Sequence, residues 1–562
     1  MKKLLYILFH RSVMGALALL AQIAFLLSIV LRFSEHVQAF YWCCILASIT
    51  AALAILCSRM EPAYKIAWLL VVLPFPVFGG VFYLLVGNGY IPRRTQRRMQ
   101  SILDTSRRVL QPDFKADDLL SLGGDAAGQA HYLETVAECP AYTNTEVSYF
   151  PLGDLAFPRM LEELEKAQRY IFLEYFIIQP GLFWDSILAV LERKAAQGVE
   201  VRVMYDDMGC MFTLPRDYDS TLRAKGIQCQ VFNRFLPVMT LRLNNRDHRK
   251  LMIIDGRVGF TGGINLADEY INVRERFGHW KDSALCLEGD AVWSMAVMFL
   301  TMWDHCCGWE EEFDRFRPDP APTRPWTGYV QPYTDTPLDQ EPVGHSVYLN
   351  MIAKARKYIY ITTPYLVIDV ATNTALCNAA KSGVDVRIIT PHIPDKRYVF
   401  EVTRAHYPPL LKAGVKIYEY TPGFIHAKNF VVDDRFAVVG TINLDYRSLF
   451  LHFEDGVWLC EAPCIQDIRR DFEQTMAQYF QSYVYDQDYT QAPQIGVDRI
   501  QMTGNALENL KDAYPNCRFV DFSYPELDPA YQGLDWCSLR LVFAPGTTKW
   551  RLVGIVHGQW TI

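Results

Sequence analysis

The sequence predicts an α/β fold in which two similar halves form one pseudo-symmetric unit, with N-terminal transmembrane helices before it and a small appendage after it. Three features predict this fold: apolar runs confined to the first ninety residues, an internal repeat, and a polar motif that occurs once in each repeat. A chain of 562 residues is too long for one domain of roughly 150 residues. The hydrophobic fraction of 51% excludes a disordered chain, and the net charge of -7 argues against a nucleic-acid partner.

The first ninety residues contain three apolar runs. Residues 12–31 carry no charge and, at ~1.5 Å per residue, are long enough to cross a bilayer core of about 30 Å. Residues 39–57 form a second uncharged run, and we interpret the two as a helical hairpin. A cleaved signal peptide would have a shorter apolar core and no second span close behind it. The third run, residues 66–86, contains two prolines and two glycines, which suit a re-entrant or interfacial element as well as a full span.

Basic residues give conflicting indications of orientation. Lys2, Lys3 and Arg11 favour a cytoplasmic N-terminus. Six further arginines favour a cytoplasmic start to the soluble part: Arg93, Arg94, Arg97, Arg98, Arg107 and Arg108. Two spans followed by a re-entrant segment satisfy both indications, so we expect a multi-pass protein of the cell membrane with its soluble part in the cytoplasm. The arginines also suit an anionic lipid surface, with a merely solvated linker as the alternative.

The remainder of the chain contains a duplication. Four pairs of segments match at offsets of 188, 184, 188 and 178 residues: 166–178 with 354–367, 195–207 with 379–392, 222–232 with 410–420, and 248–266 with 426–444. Helical spacing over Leu161–Lys166 and Leu188–Ala195 alternates with buried strands predicted at Val199–Tyr205 and Val384–Thr390. Residues 318–342 hold seven prolines and are typical of an extended linker.

These patterns predict five regions along the chain. They are a membrane region (1–90), a basic linker (91–130), two halves (131–325 and 326–490) and a C-terminal extension (491–562). Within the extension, residues 538–544 and 549–556 are predicted to be two strands joined by a Pro-Gly turn. The extension is either a small α+β appendage on the core or a separate binding module.

The same polar motif, H-x-K-x4-D followed by G-x-x-N, occurs in both halves. Its residues are His248, Lys250, Asp255 and Asn265 in the first half, and His426, Lys428, Asp433 and Asn443 in the second. A His and a Lys two apart on a strand point to one face, so both can reach one phosphate. One imidazole can attack phosphorus as a neutral nucleophile while the other protonates the leaving oxygen, and the lysines and asparagines can hold the accumulating charge. This chemistry requires no metal and no other cofactor.

The double motif resembles that of the phospholipase D superfamily, whose two halves place both motifs in one cleft. Five further segments are similar to bacterial cardiolipin synthases: "PFPVFGGVFYLLVGNG" (74–89), "YDDMG" (205–209), "GHWKD" (278–282), "TPYLVID" (363–369) and "INLDYRSLFLHFE" (442–454). The resemblance covers roughly residues 40 to 485. It departs at His452, where the family usually has Asn, a change that affects acceptor handling or is neutral.

The resemblance implies roles for individual residues. A phosphohistidine would form on His248, while His426 would act first as the general acid and then as the base. Family members often carry an acid about thirty positions after the histidine that orients it; Asp282 lies 34 after His248 and Glu454 lies 28 after His426. We group these two acids with Asn265 and Asn443 as substrate-binding candidates, although each acid has an equally simple interpretation as an exposed charge at a strand end.

The resemblance also implies that Asp255 and Asp433 orient structure and do not touch the phosphate. The expected reaction transfers a phosphatidyl group from one phosphatidylglycerol to another, giving cardiolipin and glycerol. The substrate and other anionic membrane lipids are the expected partners, and nucleic acid is not one. The alternatives are a phosphodiesterase that hydrolyses phospholipid or transfers phosphatidyl to another alcohol, and a membrane scaffold without activity. The sequence makes no prediction of oligomeric state.

Overall fold

The computed structural model of the chain describes residues 37–58, 62–73, 83, 93–110, 116–234, 245–319, 322, 328–339, 341–483, 487–503, 510–527, 535–546 and 549–559. The chain forms two compact units, Met1–Arg469 and Arg470–Ile562. The second unit therefore begins inside the helix Cys464–Tyr483, upstream of the predicted extension at residue 491.

Two helices represent the N-terminal apolar region. The predicted span over residues 12–31 lies outside the described residues, and only 66–73 and Tyr83 of the third run are described. The second run lies in the helix Val37–Cys57, which is followed by the helix Pro62–Val72. Among the helices that the structure describes, none combines the length and the apolarity needed to cross a membrane. The predicted transmembrane helices are thus not confirmed.

The segment predicted as a basic linker contains an amphipathic helix, Arg93–Val109. Met99, Ile102, Ser106 and Val109 are buried along one side of it, at the spacing of a helix face that packs against the protein. Its arginines also contact protein groups: Arg98 donates to the carbonyl of Asp304, while Arg107 pairs with Asp104 and Glu138 and Arg108 donates to Thr105. The helix is followed by the 3-10 helix Ala116–Leu122 and the helix Gly124–Thr135.

Each half is built around a seven-stranded mixed sheet. In spatial order the first sheet contains Thr145–Phe150, Ala284–Gly289, Val258–Gly262, Lys250–Ile254, Tyr170–Tyr175, Glu200–Asp206 and Gln228–Phe232. The second contains Tyr329–Asp335, Glu454–Cys460, Phe436–Gly440, Asn429–Val432, Tyr358–Thr362, Asp385–Pro391 and Lys416–Tyr420. The two orders are the same, which confirms the duplication. The strands predicted at Val199–Tyr205 and Val384–Thr390 are confirmed to within one residue at each end.

Helices cover the sheets, as an α/β fold requires. In the first half they are Gly153–Lys166, Leu182–Ala196, Tyr218–Ala224 and Val292–Cys307. In the second half they are Val343–Lys354, Val370–Lys381, Arg397–Ala405, Tyr407–Ala413, Tyr446–Phe450 and Cys464–Tyr483. Short 3-10 helices lie at Asp268–Ile271 and Phe313–Phe316.

The proline-rich segment 318–342 is not only a linker, because it contains the strand Tyr329–Asp335. This strand lies at the edge of the second sheet and pairs antiparallel with Glu454–Cys460. An edge strand tolerates Pro332 because the missing N–H costs no hydrogen bond on its open side. The prediction of an extended linker was thus incomplete, because a high proline count excludes central strands but not edge strands.

Two short pieces of sheet matter for the site. Leu366–Val367 pairs with Leu444–Asp445 inside the second half, whereas His279–Lys281 pairs in parallel with Gly423–Ile425 across the two halves.

The second unit contains an antiparallel four-stranded sheet of Gln494–Val497, Arg518–Tyr524, Cys537–Ala544 and Arg551–Gln559. It also contains the 3-10 helix Tyr489–Gln491 and the short helix Leu510–Ala513. The two strands predicted in the extension are confirmed there as neighbours.

Candidate active site

Backbone hydrogen bonds join the two motif histidines to the opposite halves. The amide of His248 donates to the carbonyl of Phe453 (2.9 Å), and the amide of His426 donates to the carbonyl of Lys281 (2.7 Å). Each carbonyl belongs to the residue immediately before an acid, Glu454 or Asp282. The halves are thus connected by two equivalent backbone contacts, and each contact brings an acid beside a histidine.

Each acid contacts the histidine of the other half. His248 Nδ1–H donates to Glu454 Oε2 (2.9 Å), and His426 Nδ1–H donates to Asp282 Oδ2 (2.6 Å). An ionised carboxylate only accepts, so Nδ1 carries the proton and Nε2 keeps a free lone pair. Lys428 Nζ also lies 2.9 Å from His426 Nδ1, but the shorter contact with Asp282 assigns the proton. The sequence spacing, which placed each acid after the histidine of its own half, did not reveal this exchange.

Both acids are fully buried, so the interpretation as exposed strand-end charges was wrong. Burial opposes ionisation of Glu454, but His248 and His452 outweigh it and hold the pKa of that carboxyl far below its ordinary value. His426 and Lys428 in the same way lower the pKa of Asp282 against the effect of burial. Thr441 Oγ1 donates to Glu454 Oε2 (2.6 Å), and the amide of Ser283 donates to Asp282 Oδ1 (2.9 Å).

The histidines are neutral at physiological pH. Burial, together with the charge of Lys250 and against the opposing effect of Glu454, lowers the pKa of His248 to about 3. Burial and Lys428 lower the pKa of His426 to about 4, against the opposing effect of Asp282. A neutral imidazole whose Nδ1–H is held by a carboxylate presents Nε2 as a nucleophile or base.

Both motif lysines are buried beside their histidines. Lys250 Nζ donates to the carbonyl of His248 (2.5 Å), and Lys428 Nζ donates to the carbonyl of His426. Burial lowers the pKa of Lys250 to about 8 and that of Lys428 to about 7, although nearby acids oppose this. A bound anion such as a phosphodiester favours the charged form of both lysines, so the pair forms a favourable anion site.

The motif aspartates hold backbone turns. Asp255 accepts from the amides of residues 168, 169 and 170 at 2.7–2.8 Å, and Asp433 accepts from those of residues 356, 357 and 358 at 2.7–2.8 Å. Both adopt positive φ, 53° and 54°, a conformation that Asp tolerates better than most residues. Their carboxylates thus hold the start of the strand that pairs with the motif strand in each half, Tyr170–Tyr175 or Tyr358–Thr362.

The side-chain amides of both asparagines donate to neighbouring protein hydroxyls. Asn265 Nδ2 donates to the hydroxyl of Tyr270 (2.8 Å), and its Oδ1 accepts from the amide of Ile177 (3.0 Å). Tyr270 presents its ring edge-on to His426, with centroids 5.6 Å apart. Asn443 occupies the equivalent position and donates to Ser448 Oγ (3.0 Å). Both asparagines are buried, at 1% and 4% exposure.

The glycines after each motif permit close packing. A Cβ on Gly262 would lie 2.3 Å from the carbonyl oxygen of Ser283, and one on Gly440 would lie 2.4 Å from that of Asp455. A Cβ on Gly263 would lie 1.9 Å from Asp282 Oδ1, so this glycine makes room for the acid itself. These glycines thus allow neighbouring strands to approach closely and leave room for Asp282.

Sequence reasoning missed the aromatic surroundings of the histidines. Phe176 packs edge-on against His248 (5.1 Å between centroids), and Trp280 packs against His426 at 5.6 Å. It also missed Tyr270, whose ring contacts His426 of the other half, and Thr441, which donates to Glu454. A signal did exist for Tyr270, since it stands five residues after Asn265 as Ser448 stands five after Asn443.

Comparisons with known proteins agree with this architecture. A family model described as "Cardiolipin synthase, PLD-like domain" matches residues 160–277 and 348–476. A second, described as "Phospholipase_D-nuclease N-terminal", matches residues 45–88. The two matched segments of the first model fall one in each half of the structure.

Relatives that match about three quarters of this chain are also found. A protein of Streptococcus mutans serotype c (strain ATCC 700610 / UA159), described as uncharacterized, is 47% identical over 75% of this chain and 91% of its own. The cardiolipin synthase of Geobacillus thermodenitrificans (strain NG80-2) is 36% identical over 75% of this chain and 84% of its own. Cardiolipin synthase 2 of Bacillus anthracis is 35% identical over 76% of this chain and 83% of its own. From the duplicated sheets, the paired motifs and these matches, we conclude that the chain belongs to the cardiolipin synthase family of phospholipase D-like proteins.

Proposed function

We propose that the protein is a phosphatidyltransferase that makes cardiolipin and glycerol from two molecules of phosphatidylglycerol. The observation that carries this proposal is the pair of buried histidine–carboxylate contacts, His248 with Glu454 and His426 with Asp282, formed across the two halves. Two histidines with free Nε2 atoms are what a two-step transfer needs, one as nucleophile and one as proton carrier. The names of the relatives support the lipid substrate and the product.

The first step forms a covalent intermediate on His248. Its Nε2 attacks the phosphorus of one phosphatidylglycerol, so a P–N bond forms as the P–O bond to glycerol breaks. The leaving oxygen takes a proton from His426, and free glycerol departs. Burial holds His426 neutral in the free enzyme, and the negative charge of the bound phosphodiester favours its protonated form.

The second step is the reverse with a different alcohol. The hydroxyl of a second phosphatidylglycerol gives its proton to His426, and its oxygen attacks phosphorus as the P–N bond to His248 breaks. Lys250 and Lys428 stabilise the charge on the phosphoryl oxygens in both steps. Since one phosphodiester replaces another, no energy source is consumed. The relatives do not favour the alternative of hydrolysis.

We propose further that the N-terminal region holds the enzyme at the cell membrane, where donor and acceptor are both concentrated, with the catalytic part on the cytoplasmic side. The apolar runs of the sequence and the N-terminal family model over residues 45–88 support membrane association. The arginines between residues 93 and 108 support the cytoplasmic side.

Product analysis tests the proposal. Detergent-solubilised protein is incubated with labelled phosphatidylglycerol, and lipids and glycerol are quantified for the wild type, His248→Ala and His426→Ala. His392→Ala is the matched control, because His392 is half-exposed and pairs with Glu419. We expect cardiolipin and glycerol in equal amounts from the wild type and the control, and neither from the two site variants. Cardiolipin formation by either site variant would refute the mechanism, and phosphatidic acid as the main wild-type product would refute the transferase.

A further inference from the structure

His452 is a buried histidine with no hydrogen-bond partner for either ring nitrogen among the described residues. Its side chain is 9% exposed, and it stands next to the proposed nucleophile, with its ring centroid 5.5 Å from that of His248. A buried polar group without a partner costs roughly 1–3 kcal/mol, so such a group calls for an explanation. The phosphatidyl transfer described above makes no use of it.

A carboxylate oxygen that accepts no hydrogen bond faces this histidine. Glu454 Oε2 is occupied by His248 and Thr441, whereas Oε1 has no hydrogen-bond partner among the described residues and lies 3.4 Å from His452 Nδ1. One ligand atom each from His248, His452 and Glu454 can be chosen so that all three lie within 4.8 Å of one another. Three metal-ligating groups, each with an unused lone pair, thus lie close together.

Two imidazoles and one carboxylate form a donor set that zinc-type dications prefer. In proteins Zn²⁺ binds His₂Glu sets with the fourth position left to water or substrate. Ligand distances of about 2.0–2.1 Å place tetrahedral donor atoms roughly 3.4 Å apart. The three ligand atoms must therefore approach one another by about 1 Å when an ion binds. His452 can make this movement by rotating its ring without breaking a hydrogen bond.

We propose that His248, His452 and Glu454 form a binding site for a transition-metal dication of the zinc type, and that a bound ion inhibits the enzyme. If the ion takes Nε2 of His248, the attacking lone pair is occupied. If it takes Nδ1, the imidazole proton moves to Nε2, which then has no lone pair with which to attack. Binding itself is independent of the reaction, whereas the inhibition rests on the proposed function.

The test measures metal binding and activity separately. The full-length protein is stripped of metal with a chelator and titrated with Zn²⁺ in a calorimeter, and with Co²⁺ while the visible spectrum is recorded. The variants are His452→Asn and His452→Gln, with His392→Asn as the matched control outside the cluster. Folding of each variant is checked by circular dichroism. The spectrum separates this site from ions on cysteines, because thiolate ligands add charge-transfer absorption that imidazole and carboxylate do not.

We expect one Zn²⁺ site in the wild type and the control that is weakened by about tenfold or more in both His452 variants. In the same titration cardiolipin synthesis should fall in the wild type and the control. With each activity expressed as a fraction of that protein's metal-free rate, a His452 variant should need about tenfold more Zn²⁺ than the wild type for the same fractional loss.

Equal Zn²⁺ affinity in the wild type and a folded His452 variant would overturn the site. Loss of binding in the variants with undiminished activity of the zinc-loaded wild type would overturn the inhibition. If the metal-free wild type makes no cardiolipin, the proposed function fails, but calorimetry still decides whether the site exists.

Discussion

Replacing Glu454 by Gln removes the charge beside His248 while keeping the size of the side chain. In the wild type the carboxylate is fully buried and accepts the Nδ1–H of His248 at 2.9 Å. When His248 is phosphorylated its ring becomes cationic, so the carboxylate stabilises the intermediate and the transition state that leads to it more than the free enzyme. The Gln amide lacks this charge, and its NH₂ group can also donate to Nδ1 and stabilise the wrong tautomer.

The magnitude follows from the distance. Unit charges about 4 Å apart, from the ring to the carboxylate, interact by about 4 kcal/mol at an effective dielectric constant of about 20. Since each 1.36 kcal/mol corresponds to about tenfold in rate, Glu454→Gln should lower kcat by about a thousandfold. Loss of the equivalent carboxylate in serine hydrolases costs about ten-thousandfold, which is a similar effect.

The assay is the initial rate of cardiolipin formation at saturating phosphatidylglycerol, with the phosphoenzyme trapped by acid quench. Glu288→Gln is the matched control, because Glu288 pairs with Arg159 at the surface (2.8 Å) and such pairs contribute at most about 1 kcal/mol. A folded Glu454→Gln protein whose kcat falls by less than about tenfold would refute the reasoning that this carboxylate stabilises the cationic intermediate.

Three further predictions concern stability and the second histidine. Asp255→Ala leaves three backbone amides without their acceptor, so the free energy of unfolding in a denaturant titration should fall by about 2 kcal/mol. The rate per folded molecule should be nearly unchanged, and a large loss would instead place Asp255 in the chemistry. Gly263→Ala puts a Cβ 1.9 Å from Asp282 Oδ1, so kcat should fall by about tenfold or more while Gly124→Ala, with open space around it, has no effect. His426, whose pKa falls from about 6.5 in the unfolded chain to about 4 in the folded protein, binds its proton more weakly when folded. The free energy of unfolding of the wild type should therefore fall relative to that of His426→Asn as the pH falls from about 6.5 to about 4. The expected change is up to about 1.4 kcal/mol per pH unit, measured by thermal or denaturant unfolding. A difference that does not change over this range would show that His426 is not buried as described.

The duplication and the motif could be predicted from the sequence because both consist of residue patterns over short segments of the chain. Offsets near 180 residues gave two halves, and the structure has the same strand order in both sheets. The alternation of strands and helices was predicted at Val199–Tyr205 and Val384–Thr390 because buried parallel strands are continuous apolar runs. The segment 318–342 was predicted only as a linker because a proline lacks the N–H that a paired strand would donate. The tertiary structure shows that this side of the strand has no neighbouring strand, so the missing donor is tolerated.

By itself, the sequence predicted the candidate residues for the proposed chemistry: two histidines, two lysines and two acids at equivalent positions in a repeat. It did not determine which acid serves which histidine, since spacing along the chain suggested partners within one half. That pairing is decided by the backbone hydrogen bond from each motif histidine to the residue before the other half's acid, which puts Glu454 beside His248 and Asp282 beside His426. Burial of these groups, and hence the neutral state of the histidines, exists only when the halves are packed together, because desolvation is a property of the assembled interior and not of any segment.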